Sequence, residues 1–238
     1  MDYFLSEEQE MIVETARQIA DERIIPARAE LDEKHEFPRA ILNEMARADL
    51  FAVPIPEEYG GFGGGCIDNV LALEQLGRGC VGVGTAFAAN ILGIYPIMIA
   101  GSDEMKNRYL PDVATGKKFA AFGLTEANAG SDASGIRTTA VLDGDEWVIN
   151  GTKQWITNGG EAQIYTVVAI TDRSRGPRGA SMFVIEEGDP GFTCGPKEKK
   201  MGIRASSTTE LIFKDCRIPK DRLIGRAGTG FITVMKTL

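Results

Sequence analysis

Thr125 and Thr157 each offer a hydroxyl at the end of a run with β-strand composition, in FGLTEANAGSD (residues 122–132) and QWITNGG (residues 154–160). In the first stretch Ala129, Gly130 and Ser131 let the backbone approach a ligand closely, and the N–H groups near Gly130 can form an anion-binding concavity. In the second, Trp155 sets a flat aromatic face beside Thr157. Hydroxyls, an aromatic face and an anion cradle at strand ends are what a sheet needs to hold a cofactor. Glu126 stands next to Thr125 and reads as a solvated strand-end carboxylate rather than a base.

Other chemistries lack their residues. The single histidine, His35, lies in the charged context EKHEF, so a Ser-His-Asp site or a multi-histidine metal site would rest on one solvated side chain. Cys66, Cys80, Cys194 and Cys216 are scattered without a Cys-x-x-Cys pair, which predicts free thiols and neither a zinc site nor a disulfide framework. The net charge of -8, with no basic run, argues against nucleic acid as a partner. The start, MDYFLSEEQEM, is acidic and has no secretion-signal pattern, which predicts a cytoplasmic protein.

The elements that must position these residues divide by character. With 43% apolar and 25% charged residues, the 238-residue chain can bury a core. The first 115 or so residues read as helices. Ser6 and Gln9 form a capping box, followed by Met11, Ile12, Ala16 and Ile19 at helical spacing until Pro26 interrupts the run. Phe37-Pro38 opens a second helix with Ile41, Leu42, Met45 and Leu50 on its apolar side, and Pro54, Pro56 and the glycines from Gly60 to Gly65 force a loop. Val81 to Gly101 carries no charge and is long enough for a membrane span, but its glycines, Asn90 and Pro96 favour a helix buried on every side. Gly77, Gly79 and Gly82 match G-x-G-x-x-G, but VLALEQL before them is helical, so the glycines mark a turn between helices. A short helix from Ser102 is expected to end at Leu110-Pro111.

After Lys118 the runs 119–124, 138–142, 146–149, 154–157, 165–170, 181–185 and 209–213 are short and β-rich, with hairpin signals at Asp143-Gly144 and Asn150-Gly151. They predict a small antiparallel barrel or sandwich and an α+β fold, divided as a helical domain over 1–116, a β domain over 117–225 and the start of a further helical domain over 226–238. Phe231, Val234, Met235 and Leu238 open an amphipathic helix that the chain leaves without a cap, which reads as a C-terminal helical bundle missing or truncated.

Four ordered blocks carry a family resemblance: VPIPEEYGGFG (53–63), FGLTEANAGSD, NGTKQWITNGG (150–160) and MGIRASSTTELIF (201–213). Together they resemble the acyl-CoA dehydrogenase family over its N-terminal and middle domains. The resemblance implies an FAD cofactor and α,β-dehydrogenation of an acyl-CoA thioester to the trans-2-enoyl-CoA, with hydride passing to flavin N5. It implies cofactor contacts from Phe122, Leu124, Thr125, Gly130, Ser131, Trp155, Ile156 and Thr157. Ser131 and Arg204 are the implied CoA-side contacts, with Ser206 beside them and a surface ion pair as the other reading of Arg204. Gly84 and Ala88 fall where medium-chain relatives floor the acyl pocket, which implies either a deeper pocket or close helix packing. The family's base is expected beyond Leu238, so a chain ending there would be impaired. The implied partners are an electron-transfer flavoprotein and either a homo-oligomer or a complementing chain that supplies the helical domain. The alternative is a non-catalytic or split-chain subunit that binds flavin or acyl-CoA without its base.

Overall fold

The computed structural model describes residues 4–238, so Met1 to Tyr3 of the acidic start lie outside the described residues. The chain forms two compact units, one of Met1–Ile91, Leu110–Lys118 and Lys199–Ser207, the other of Leu92–Tyr109, Phe119–Glu198 and Thr208–Leu238. The α+β architecture expected from the sequence is present: helices dominate the first half and strands the second.

In the first unit, α1 (Glu7–Ile19) begins with the expected capping box, Ser6 receiving the Gln9 N–H and Gln9 answering the Ser6 N–H. Pro26 does not interrupt this run. A π-helical turn, Ala20–Ile24, carries the chain directly into α2 (Ile25–Lys34), and the wide turn just before Pro26 accommodates its missing N–H. The wide turn is held by burial, since Ala20 and Ile24 are fully covered and lie against Gly79. His35 caps α2 in the left-handed conformation at φ 55° and is exposed, a structural role for the single histidine. The second helix, α3 (Arg39–Arg47), starts just after Pro38 and buries Ile41, Leu42, Met45 and Ala46. α1 packs along α4 (Cys66–Gly79), and Phe51 stacks on Phe87 at 5.2 Å between ring centroids.

Gly79 ends α4 and α5 (Val81–Ala100) follows, so the Gly77-Gly79-Gly82 cluster is a turn between helices, as expected. α5 is long and apolar enough to cross a membrane, but 61% of its most apolar window is buried, which makes it a core helix. α6 (Asp103–Ala114) runs through Pro111 instead of ending there. Leu110, Val113 and Ala114 are buried, and that packing outweighs the one lost backbone hydrogen bond.

The second unit is a sheet in the order β6-β7-β3-β2-β4-β5-β8, formed by β2 (Thr139–Asp143), β3 (Glu146–Thr157), β4 (Ile164–Ile170), β5 (Ala180–Glu186), β6 (Phe192–Cys194), β7 (Thr208–Pro219) and β8 (Leu223–Ile224). β1 (Ala120–Gly123) pairs with β4 in parallel, and β2 meets β4 in parallel at Thr139 and Ile170, so the sheet is mixed although mainly antiparallel. The Asn150-Gly151 hairpin expected from sequence is absent. β3 continues straight through it with a bulge between Ile149 and Gly151. Gly151 adopts φ 147° with Thr138 so close that a Cβ would meet its Oγ1 at 2.4 Å, which explains the glycine. A helix α7 (Gly230–Thr237) closes the unit, with Val234 buried on β5 and Ile232, Met235 and Leu238 exposed.

The second half of α5 rests on the sheet through Gly93, whose carbonyl accepts from Thr166 Oγ1 at 2.9 Å. A Cβ on Gly93 would lie 2.7 Å from Ala121 N and 2.8 Å from Ala120 Cβ. These are atoms of a paired strand and cannot yield cheaply. Gly93→Ala is expected to lower stability by about 1–3 kcal/mol, read as a shifted urea midpoint at unchanged m-value.

Candidate functional site

β1 stops at Gly123 because the next residues turn their hydrogen bonds to a neighbour other than β4. Leu124 O accepts from Lys153 Nζ at 3.0 Å, and Thr125 O accepts from the Gln154 N–H at 2.8 Å. The two stretches singled out in the sequence are thereby joined side by side. Glu126 and Ala129 then exchange backbone bonds of 3.1 and 3.0 Å around a tight turn, and the chain passes Gly130 and Ser131 on the exposed side. Asp132 closes the loop by accepting from Ser134 N at 3.2 Å and from its hydroxyl.

The sequence missed what fixes this arrangement. Glu126 is not solvated: it is 8% exposed, and its carboxylate lies 2.7 Å from the ammonium of Lys153, which is fully buried. The same carboxylate accepts the N–H groups of Arg137 at 2.7 Å and Thr138 at 3.0 Å, which ties the far stem of the 126–138 loop to its near stem. Gly123 makes room for the lysine, since a Cβ there would touch Lys153 Cγ at 3.6 Å. Burial acts to raise the Glu126 carboxyl, but the Lys153 charge and its hydrogen bonds outweigh it and hold Glu126 below the ordinary glutamate value. Burial draws Lys153 down to about 8, against the opposing pull of Glu126. A carboxylate held charged by a buried partner is a poor proton acceptor, so Glu126 is structural, as its exclusion as a base requires.

Around this pair the candidate groups are presented without protein partners. Among the described residues the hydroxyls of Thr125, Ser131 and Thr157, the Trp155 indole N–H and the backbone N–H groups of Gly130 and Ser131 make no hydrogen bond. Gly130 has nothing within 4 Å of where a Cβ would sit. Trp155 occupies a bulge between Lys153 and Ile156, is 57% exposed and has φ 58°. A large aromatic residue in the left-handed region and facing outward is the kind of local strain found at ligand sites. Ile156 is buried, Phe122, Leu124 and Thr157 are half-buried, and Thr157 pairs with Thr208 at the start of β7.

Models of the acyl-CoA dehydrogenase N-terminal domain and middle domain match residues 6–117 and 121–216. The chain belongs to the acyl-CoA dehydrogenase family. A probable acyl-CoA dehydrogenase of Mycobacterium tuberculosis is 45% identical over 98% of this chain and 60% of its own length. Among solved structures, butyryl-CoA dehydrogenase from Megasphaera elsdenii matches with a TM-score of 0.96 at 38% identity, covering 100% of this chain and 63% of that one. The acyl-CoA dehydrogenase of Bacillus anthracis, solved complexed with FAD, matches at 0.91 and 38% identity over 98% of this chain and 40% of that one. The chain thus spans about 60% of the length of the curated relatives it matches.

The remaining sequence candidates belong to the first unit. Arg204 forms an ion pair with Asp32: Nε donates at 2.9 Å, Nη2 at 2.5 Å, and its backbone N–H at 3.0 Å. Of the two readings open for Arg204, the ion pair is the one present. Gly84, in α5, lies against α4, where a Cβ would be 3.1 Å from Gly77 Cα, so close helix packing accounts for it. Ala88 is half-buried on the same helix. Ser206 is buried, and its hydroxyl has no hydrogen-bond partner among the described residues.

The buried pair predicts a specific failure. Glu126→Gln leaves a buried ammonium unpaired and is expected to cost about 3–5 kcal/mol near neutral pH. The linkage has a definite sign. A lysine whose folded value is depressed burdens the fold while it is charged, and the burden lifts as pH rises through the window between its folded and unfolded values. Without Glu126 the lysine gives up its proton below the parent's value of about 8, so the loss in Glu126→Gln is expected to shrink as pH rises toward about 8 in urea titrations. In the parent chain the Glu126 contribution is present above the unfolded glutamate value and disappears as pH falls through its lower folded value.

Proposed function

We propose that this chain is the FAD-holding part of an acyl-CoA dehydrogenase that converts an acyl-CoA thioester to its trans-2-enoyl-CoA. The observation that carries the reading is the set of unsatisfied groups on the two joined segments. An isoalloxazine ring needs a flat face, donors at its pyrimidine edge and a donor near N5, and a pyrophosphate needs backbone N–H groups. The Trp155 ring and N–H, the hydroxyls of Thr125 and Thr157 and the N–H groups of Gly130 and Ser131 are of those kinds and have no hydrogen-bond partner among the described residues.

In this reading Thr125 bonds the pyrimidine edge and Trp155 covers the ring, with Phe122, Leu124 and Ile156 packing beneath. Gly130 and Ser131 donate to the pyrophosphate, and the Ser131 hydroxyl also serves the CoA side. Bound FAD would supply the hydride acceptor. Thr157 would stand beside the ring as a hydrogen-bond donor through its hydroxyl. Ala88 lines the acyl pocket. The base that removes the Cα proton comes from residues after Leu238 in the whole protein, because the one buried acid at the joined segments, Glu126, is committed to Lys153. Electrons leave to an electron-transfer flavoprotein, and the working assembly is a homo-oligomer or includes a complementing chain.

An anaerobic visible spectrum of the FAD-reconstituted protein, titrated with straight and branched acyl-CoAs, tests this. Retained flavin that bleaches with an acyl-CoA supports the full reading, and retained flavin that stays oxidised supports a cofactor scaffold separated from its base. No retained flavin contradicts both. Thr125→Ala and Ser131→Ala are each expected to weaken FAD binding by about fivefold, the worth of one hydrogen bond.

A further inference from the structure

Thr125 is held at both of its peptide bonds by adjacent residues of β3. The Leu124 carbonyl before it accepts from Lys153 Nζ at 3.0 Å, and its own carbonyl accepts from the Gln154 N–H at 2.8 Å. The Leu124–Thr125 peptide is trans, so the Thr125 N–H points away from the lysine. That N–H has no acceptor among the described residues, and Thr125 is only half-buried, which leaves it within reach of a ligand.

The bond to Leu124 O differs from an ordinary backbone contact because its donor is an ammonium with no exposed surface. Its surroundings are apolar. A Cβ on Gly123 would meet Val167 Cγ2 at 3.2 Å, Leu211 Cδ1 at 3.3 Å and Lys153 Cγ at 3.6 Å, and both Val167 and Leu211 are fully buried. With little water to screen it, a charged donor draws electron density onto the carbonyl oxygen more strongly than a neutral one would. The conjugated C–N bond passes that pull across the peptide and leaves the N–H on its far side more positive. Glu126 does not undo this. Its carboxylate is shared between the ammonium at 2.7 Å and the N–H groups of Arg137 and Thr138, and it bonds neither Leu124 nor Thr125.

We infer that Lys153 is a positioning residue for the cofactor: through the Leu124–Thr125 peptide it makes the Thr125 N–H a strengthened donor to the pyrimidine edge of the flavin, and so favours the electron-rich, reduced form over the oxidised one. This rests on the flavin-holding reading above, which it extends from the Thr125 hydroxyl to the backbone and to the buried charge behind it. A fixed donor aimed at the place where negative charge gathers discriminates between charge states, and protein charge near the ring is one of the ways a fold tunes a flavin.

The test is the two-electron reduction potential of the bound flavin, measured anaerobically against a reference dye, together with FAD affinity. It compares the parent chain with Lys153→Gln, Lys153→Arg and the double variant Lys153→Gln/Glu126→Gln. The glutamine supplies a neutral donor, the arginine keeps the charge, and the double variant leaves no unpaired buried charge should Lys153→Gln alone fail to fold. Lys214→Gln, at an exposed lysine of β7, is the control. Neutralising Lys153 is expected to lower affinity for reduced relative to oxidised FAD by about tenfold, or about 30 mV in a two-electron potential. Lys153→Arg and Lys214→Gln are expected to keep the parent potential. A lysine that only held the fold together would change affinity for both redox forms alike. An unchanged potential in the neutral variants, or an equal shift in Lys153→Arg, would therefore overturn the inference. If neither neutral variant retains flavin, NMR of the isotope-labelled parent decides: reduction of bound FAD is expected to move the Thr125 N–H proton downfield further than those of Leu124 and Glu126, and a Thr125 proton that stays in place overturns the inference. Failure of the flavin-holding reading itself would look different, as a parent chain that retains no FAD.

Discussion

The buried contact between Glu126 and Lys153 is the constraint on which the rest of the site depends. Neither charge can be left alone in that environment, so the strand that carries Lys153 and the segment that carries Glu126 must lie side by side. Once they do, the Gln154 N–H reaches Thr125 O, the 126–138 loop is closed at its stems, and Trp155 is left to bulge outward. A hydrophobic pair of similar volume would pack as well but would not offer acceptors for Arg137 N and Thr138 N at once. The ion pair therefore contributes register more than stability, and it holds the two stretches that carry the proposed cofactor groups side by side.

The fold was legible where local pattern and global packing agree. The capping box at Ser6, the charge-free helix from Val81 and the strands around residues 165–170 and 181–185 each follow from composition and period alone. It was not legible where the same residue serves two geometries. Asn150-Gly151 is a hairpin signal because glycine tolerates positive φ, but a bulge uses the same freedom, and only the close approach of Thr138 decides between them. Pro26 and Pro111 were read as stops because proline removes a donor, yet burial of Ile24 and of Leu110 keeps both helices running.

The site divides in the same way. Thr125, Gly130, Ser131, Trp155 and Thr157 were singled out by residue type and by the family resemblance, and the structure joins their two stretches side by side. The Glu126–Lys153 pair was not, since twenty-seven positions separate them and neither neighbourhood looks buried. Arg204 shows the opposite case: a basic residue in a CoA-like block, with its carboxylate partner 172 positions away at Asp32.

Amide hydrogen exchange of the chain with and without FAD tests the central claim most directly, because the Gly130 and Ser131 N–H groups have no acceptor among the described residues. The account predicts that FAD slows exchange at residues 125–131 and 155–157, with the largest change at Gly130 and Ser131. Slowing confined to other parts of the chain, or none at saturating FAD, would contradict it.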